Sequence, residues 1–141
     1  MEALINLCKN LLSNVDNAIS IVLLRPEIQK YIVELNQDQL QQHQVDSENV
    51  LLPFYSPYSL KLKQQKFGGD YPKRFTLQDT GEFYDSFKLY LKSDYFMITG
   101  NTKKPNKDLL EYSQNILGLT DESMGLLIEK INPLVIQQLL K

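Results

Sequence analysis

Asp79-Thr80-Gly81 is the stretch whose residue types and order most suggest a catalytic loop, because a tight Asp-bearing turn is one way to make two carboxylates share a proton. That chemistry needs a second carboxylate. One copy in 141 residues would have to borrow it from another subunit, and the residues that follow, Glu82 and the bulky Phe83-Tyr84 pair, stand where such a loop continues with a small residue. Other reactive groups are sparse. His43, the single histidine, lies in a glutamine-rich tract and leaves no histidine-based zinc site within one chain. The single cysteine, Cys8, can form neither a thiolate cluster nor an intrachain disulfide. Gly68-Gly69 is not followed by Gly-Lys-Ser/Thr, so no phosphate-cradling loop is present. Ser86 and Ser93 have no histidine nearby in sequence, and Asp79, Glu82 and Asp85 read most simply as caps or solvated groups. The expectation is a non-catalytic protein with no metal and no cofactor.

Charge carries more information than catalysis does. The net charge is only -2, but residues 1–50 hold seven acids and three bases, residues 51–110 six acids and ten bases, and residues 111–141 four acids and two bases. Within the basic middle, Lys61, Lys63, Lys66, Lys73 and Arg74 stand against one acid, Asp70, with Phe67 and Tyr71 interleaved. Bases and aromatic rings together can meet phosphates and stacked nucleotide bases. The same run also suits a solvated, mobile arm or a contact with an acidic neighbouring subunit.

The elements that must position these groups begin with a helix. Leu4, Cys8, Leu11, Val15, Ala18 or Ile19, and Val22 recur at intervals of three and four, one stripe of a helix, on which Cys8 is expected as a small core residue. Arg25-Pro26 breaks the pattern, and Pro26 is suited to open a second helix with Ile28, Tyr31, Ile32 and Leu35 on its inner face. The polar tract 36–44 reads as a fraying helix that runs into a loop. Pro53, Pro57, Pro72 and Gly68-Gly69 preclude a long helix after it, so residues 45–79 are expected as a long extended arm joined by turns. Periodicity leaves Tyr58 to Lys63 open between a strand and a short helix begun at Ser56-Pro57.

Asp79 or Thr80 can accept a backbone hydrogen bond at a helix start, and Glu82 lies three residues after Asp79, the spacing of a capping box, followed by a short helix through Phe83, Tyr84 and Phe87. Alternation at Phe87, Leu89 and Leu91, a turn at Ser93-Asp94 and a return through residues 95–99 predict an antiparallel hairpin over about 86–99 at the centre of the fold. Asn106 or Asp108 is placed to start a helix through Leu109, Tyr112, Ser113 and Ile116 that stops at Gly118. Thr120 caps a last helix whose face is Met124, Leu127, Ile128, Ile131, Leu134 or Val135, and Leu139, with a kink at Pro133. The sum is one α+β domain over residues 1–141: helical 1–44, an extended arm 45–79, a short helix and hairpin 80–104, and C-terminal helices 105–141. With 43% hydrophobic residues the chain can bury a real core. No apolar run approaches the roughly 20 residues needed to span a bilayer, and the first residues lack a basic region followed by a continuous apolar one. A soluble protein made in the cytoplasm is expected.

The order of the motifs adds a further expectation. The run "VDSENVLLPFYSPYSLKLK", then "TLQDTGEFYDSF", then a hairpin, then "LGLTDESMGLLIEKI" resembles the virion-morphogenesis or tail-completion (neck) proteins of long-tailed bacteriophages, with the flavour of the versions in Bacteroidetes phages and prophages. The resemblance covers residues 45 to 131. Asp46, Pro53, Ser56, Pro57, Lys61 or Lys63, Leu77, Thr80, Gly81, Phe83, Ser86, Gly118, Leu119, Thr120 and Asp121 fall on the family pattern. Tyr55 and Phe83 depart from it, standing where leucine and an aliphatic residue are usual, and neither a tryptophan nor the histidine segment that often follows the hairpin is present.

The resemblance implies a structural virion protein that completes the neck between head and tail as one component of a ring. Its partners would be further copies of itself, portal, connector or tail proteins, and packaged DNA in the channel, with no membrane. The basic run 61–74 would then face a neighbouring subunit or the DNA. The rival expectation is a cytoplasmic nucleic-acid-binding or adaptor module that uses the same run.

Overall fold

The computed structural model describes residues 1–141 and has an α+β architecture dominated by helix, with 55% of residues helical and 11% in strands. Helix α1 spans Glu2–Leu23 and α2 Pro26–Asp38, with Pro26 in the first turn where its missing amide hydrogen costs nothing. A π-helical turn, Gln39–His43, extends α2 and ends at Gln44 in the left-handed conformation. Helix α3 is Pro57–Phe67, α4 is the single turn Glu82–Asp85, and α5 is Asp121–Leu139. Two small antiparallel ribbons complete the chain, β1 (Lys88–Leu91) with β2 (Phe96–Thr99), and β3 (Lys103–Lys104) with β4 (Lys107–Asp108).

Helices α1, α2 and α5 build the core. Ala18 and Val22 of α1, Ile28, Ile32 and Leu35 of α2, and Leu127, Ile131 and Val135 of α5 are buried in one cluster. Side chains spaced three, four and seven apart on each helix give the contiguous stripe that such packing requires. Thr120 caps α5 as its position predicts, its hydroxyl accepting from the Ser123 amide at 3.1 Å. Pro133 lies inside α5, exposed, and the helix continues past it to Leu139.

The hairpin forms in the expected place, Lys88 opposite Thr99 and Leu91 opposite Phe96, with Leu89 and Leu91 turned inward relative to Lys88 and Tyr90. It is not the centre of the fold. Of its eight strand residues only Ile98 is buried, and the ribbon lies on the flank of the helices, against α2. The reason is size, since a two-stranded ribbon offers one narrow face and needs helices to bury it.

Four other expectations are corrected. Residues 1–14 are exposed, so Cys8 is a surface thiol and the apolar stripe of the first half of α1 faces solvent instead of entering the core. The polar tract 36–44 does not fray: Asn36 and Gln39 are buried, and their amides hold the backbone of residues 116–120. Asn36 Nδ2 donates to the Ile116 carbonyl at 3.0 Å while the Gly118 amide donates to Asn36 Oδ1 at 2.8 Å. Gln39 Nε2 donates to the Gly118 carbonyl at 2.9 Å and its Oε1 accepts from the Thr120 amide at 2.8 Å. These bonds also explain why the helix expected from Asn106 or Asp108 to Ile116 is absent. Asp108 caps a single 3₁₀ turn, Leu109–Glu111, after which the backbone pairs with α2 and with Ser47 instead of with itself.

The stretch 45–79 is not a free arm. Segments around Pro53–Tyr55 and Lys73–Phe75 pair with each other, the Tyr55 amide donating to the Lys73 carbonyl and the Phe75 amide to the Pro53 carbonyl, both at 2.9 Å. Between them the chain forms α3, begun at Ser56, whose hydroxyl accepts from the Ser59 amide at 3.1 Å. The helical alternative for Tyr58 to Lys63 is therefore the one adopted, and Leu52, Tyr55, Tyr71, Thr76 and Leu77 are buried.

Candidate functional site

Asp79 lies at the centre of a cluster of lysines, for reasons that start in α3. Lys63 and Lys66 are three residues apart on that helix and so project to one side. The extended segment after Tyr71 returns the chain past them, and the tight β3–β4 turn brings Lys104 and Lys107 from the opposite side. Asp79 Oδ1 is 3.7 Å from Lys63 Nζ and 3.4 Å from Lys66 Nζ, and Oδ2 is 3.9 Å from Lys104 Nζ. Lys63 Nζ also donates to the Gln78 carbonyl and Lys66 Nζ to the Asp79 carbonyl.

Three lysines, Lys63, Lys66 and Lys104, thus converge on one carboxylate, with Lys107 nearby on the Tyr112 hydroxyl, and their mutual influence follows. Partial burial alone would raise the Asp79 pKa, but attraction to Lys63, Lys66 and Lys104 outweighs it and holds the carboxyl below its ordinary value of 3.8. Lys63 moves down from 10.5 chiefly because it is desolvated; Asp79 opposes the change and Lys66, Lys104 and Lys107 reinforce it. No second carboxylate is paired with Asp79; its ionic partners are all lysines. The capping box predicted at Asp79 is likewise absent: Gly81, at φ 93°, begins α4 with no side-chain cap, and only Thr80 Oγ1 lies near the Glu82 amide, at 3.4 Å.

Lys63, Lys104 and Lys107 border a cleft of about 170 Å³ that is also lined by Tyr55, Phe75 and Tyr112. Phe75 and Tyr112 stack at 4.2 Å, and Lys107 Nζ lies 5.4 Å from the Tyr112 ring centre while donating to its hydroxyl at 3.1 Å. Behind them runs a buried polar chain. The hydroxyls of Tyr55 and Tyr71 both meet Thr76 Oγ1, Tyr71 donates to Gln78 Oε1 at 3.2 Å, and Tyr84 donates to the Thr76 carbonyl at 2.5 Å. Burial pushes the Tyr71 and Tyr84 hydroxyls well above the ordinary phenol value of 10, so both remain protonated donors. The cleft can attract and orient an anionic group.

The five cations singled out in the sequence divide unequally. Lys63 lines the cleft and Lys66 stands beside it, both engaged with Asp79; Arg74 turns away, donating to the Leu52 carbonyl at 2.8 Å and covering the Phe54 ring at 3.8 Å. Lys61 and Lys73 are exposed and make no ion pair. Lys104 and Lys107 belong to the cluster although they lie outside the basic run 61–74. The available signal was three lysines spaced around Pro105-Asn106, a turn pair that folds them onto one side.

The motif residues have architectural positions. Asp46 Oδ1 accepts from the Glu48 and Val50 amides at 2.9 and 3.0 Å, and its Oδ2 accepts from Ser113 Oγ at 2.7 Å, tying the 45–52 loop to the C-terminal segment. Pro57 opens α3, and Phe83 is buried in the core. Ser86 Oγ donates to the Phe83 carbonyl at 2.5 Å and accepts from the Asn101 amide at 2.8 Å, closing the base of the hairpin. Gly118 sits at φ 137°, where a Cβ would come within 3.1 Å of Ser47 Cβ. No three His, Cys, Asp or Glu side chains come together as a metal site, and no helix is long and apolar enough to cross a membrane. Comparison with protein-family models, with curated proteins and with solved structures gives no match.

Proposed function

We propose that the protein is a non-catalytic structural component of a phage neck, a subunit that assembles with copies of itself into a ring joining head to tail. The observation that carries this reading is the use made of the motif run: Asp46, Pro57, Gly81, Phe83, Ser86, Gly118 and Thr120 all cap, turn or pack the chain, and Asp79 is tied up by lysines. A surface built in this way presents shape and charge to a neighbour and no reacting group. The acidic ends and basic middle of the chain suit heterologous contacts that close by rotation, and the lysine cleft suits an acidic patch of an adjoining connector or tail protein, or DNA in the channel.

Electron microscopy of the purified protein tests the reading. Closed rings of one size support it, as do neighbouring genes for portal, capsid and tail-tube proteins; isolated particles of the size of one chain, beside genes of unrelated kind, count against it. The second reading, a cytoplasmic nucleic-acid-binding module, is favoured by the lysines over stacked rings and by exposed Lys61 and Lys73. It requires the isolated monomer to bind free DNA with an affinity that falls steeply with salt.

A further inference from the structure

We infer that the exposed first half of α1 is one side of a self-docking interface, and that it seats in the groove beside the second half of α1 in the next copy. Three observations lead there. Leu4, Leu7, Cys8, Leu11 and Leu12 form a continuous apolar ridge with no partner, and Leu4 and Leu12 are 63% and 66% exposed. A helical segment of this length is marginal in water by itself, so its apolar face calls for a partner.

The second observation is the groove. At the other end of α1, Leu23, Leu24, Leu91, Tyr95, Phe96 and Met124 line an open, mostly apolar cleft of about 760 Å³ between α1, the β1–β2 turn and the start of α5. Ridge and groove centres lie about 12 residues apart along one helix, roughly 18 Å at 1.5 Å per residue. One copy therefore carries both partners of the contact at separate places, the arrangement that gives head-to-tail association. The groove rim bears Asp16 and Asp94 beside Lys92, and the ridge bears Lys9.

The third is area. The chain exposes 9518 Å², whereas a compact monomer of this mass exposes about 7,500 Å². The surplus of about 2,000 Å² matches a subunit that gives up roughly 800 Å² at each of two docking faces. A second copy of the chain is the occupant that accounts for ridge, groove and surplus together. The inference rests on the ring reading and adds which surfaces make the ring.

Two variants, each made in the full chain, test it. Leu4→Glu with Leu11→Glu spoils the ridge and leaves the groove; Leu24→Glu with Tyr95→Glu spoils the groove and leaves the ridge. All four side chains are exposed, so each variant keeps the core intact. By light scattering after size exclusion, each variant alone is expected at the 16.4 kDa of one chain, and an equal mixture at twice that mass, because one sound ridge meets one sound groove. Monomeric variants that stay monomeric on mixing overturn the head-to-tail geometry. Variants that assemble like the wild type overturn the interface while leaving the ring reading in place. A wild-type chain that is monomeric at every concentration overturns both.

Discussion

The buried seam between α2 and residues 116–120 and the bare first half of α1 are inversions of each other. In the seam, amide side chains from a glutamine-rich tract are fully enclosed; on α1, a row of leucines faces water. Composition alone would have exchanged them. What separates the two is partnership, since Asn36 and Gln39 find four backbone groups to pair with inside one chain, and Leu4, Leu7 and Leu11 find no apolar surface there. Polar groups go inside when every hydrogen bond is met, and apolar groups stay outside when their own chain offers no surface to cover them.

The contrast breaks first at Asn36. Replacement by leucine leaves the Ile116 carbonyl and the Gly118 amide enclosed without partners, a loss of about 2–4 kcal/mol in urea denaturation. A loss below about 1 kcal/mol would mean that water or a shifted backbone satisfies the seam equally well. Gly118→Ala strains the same seam by a different route, through its positive φ and the approach to Ser47, and should cost about 1–3 kcal/mol by thermal unfolding.

Asp79 tests ground between the two regions, half exposed and held by charge. Its folded pKa is depressed, so its contribution is present above the ordinary value of 3.8 and is lost as pH falls through the lower folded value. Asp79→Asn should therefore be less stable than wild type at pH 7 by no more than about 1 kcal/mol, the discounted worth of a solvent-screened cluster. The gap should close in acid; a gap that widens in acid would show that the lysines are not what holds the carboxyl. The smallest effect on a single chain belongs to α1. Leu4→Ser with Leu11→Ser should shift the unfolding of dilute protein by about 0.5 kcal/mol or less, because both side chains are more than half exposed, while reducing self-association at high concentration.

Local signals were legible in the sequence because the physics behind them is local. Pro26 in a first turn, Ser56-Pro57 and Thr120 at helix starts, and the alternation of Phe87 to Leu91 each act over a few residues, and each element lies where those residues put it. The seam was not legible, since its partners are about 80 residues apart in the chain and a buried glutamine looks like any other until its acceptor is known. The helical period of Leu4, Cys8 and Leu11 was read correctly and its burial was not, because periodicity gives a face and not an occupant. At the candidate site the basic run supplied Lys63 and Lys66, whereas Lys104 and Lys107 entered through the fold of a short turn, and Asp79 exchanged the capping role for an ionic one.

Sedimentation velocity of the intact wild-type chain over a hundredfold range of concentration tests the central claim, that this surface is completed by copies of the same protein. The account predicts growth from the 16.4 kDa species to one discrete larger species, which marks a closed assembly. A single boundary of monomer mass at every concentration would contradict it.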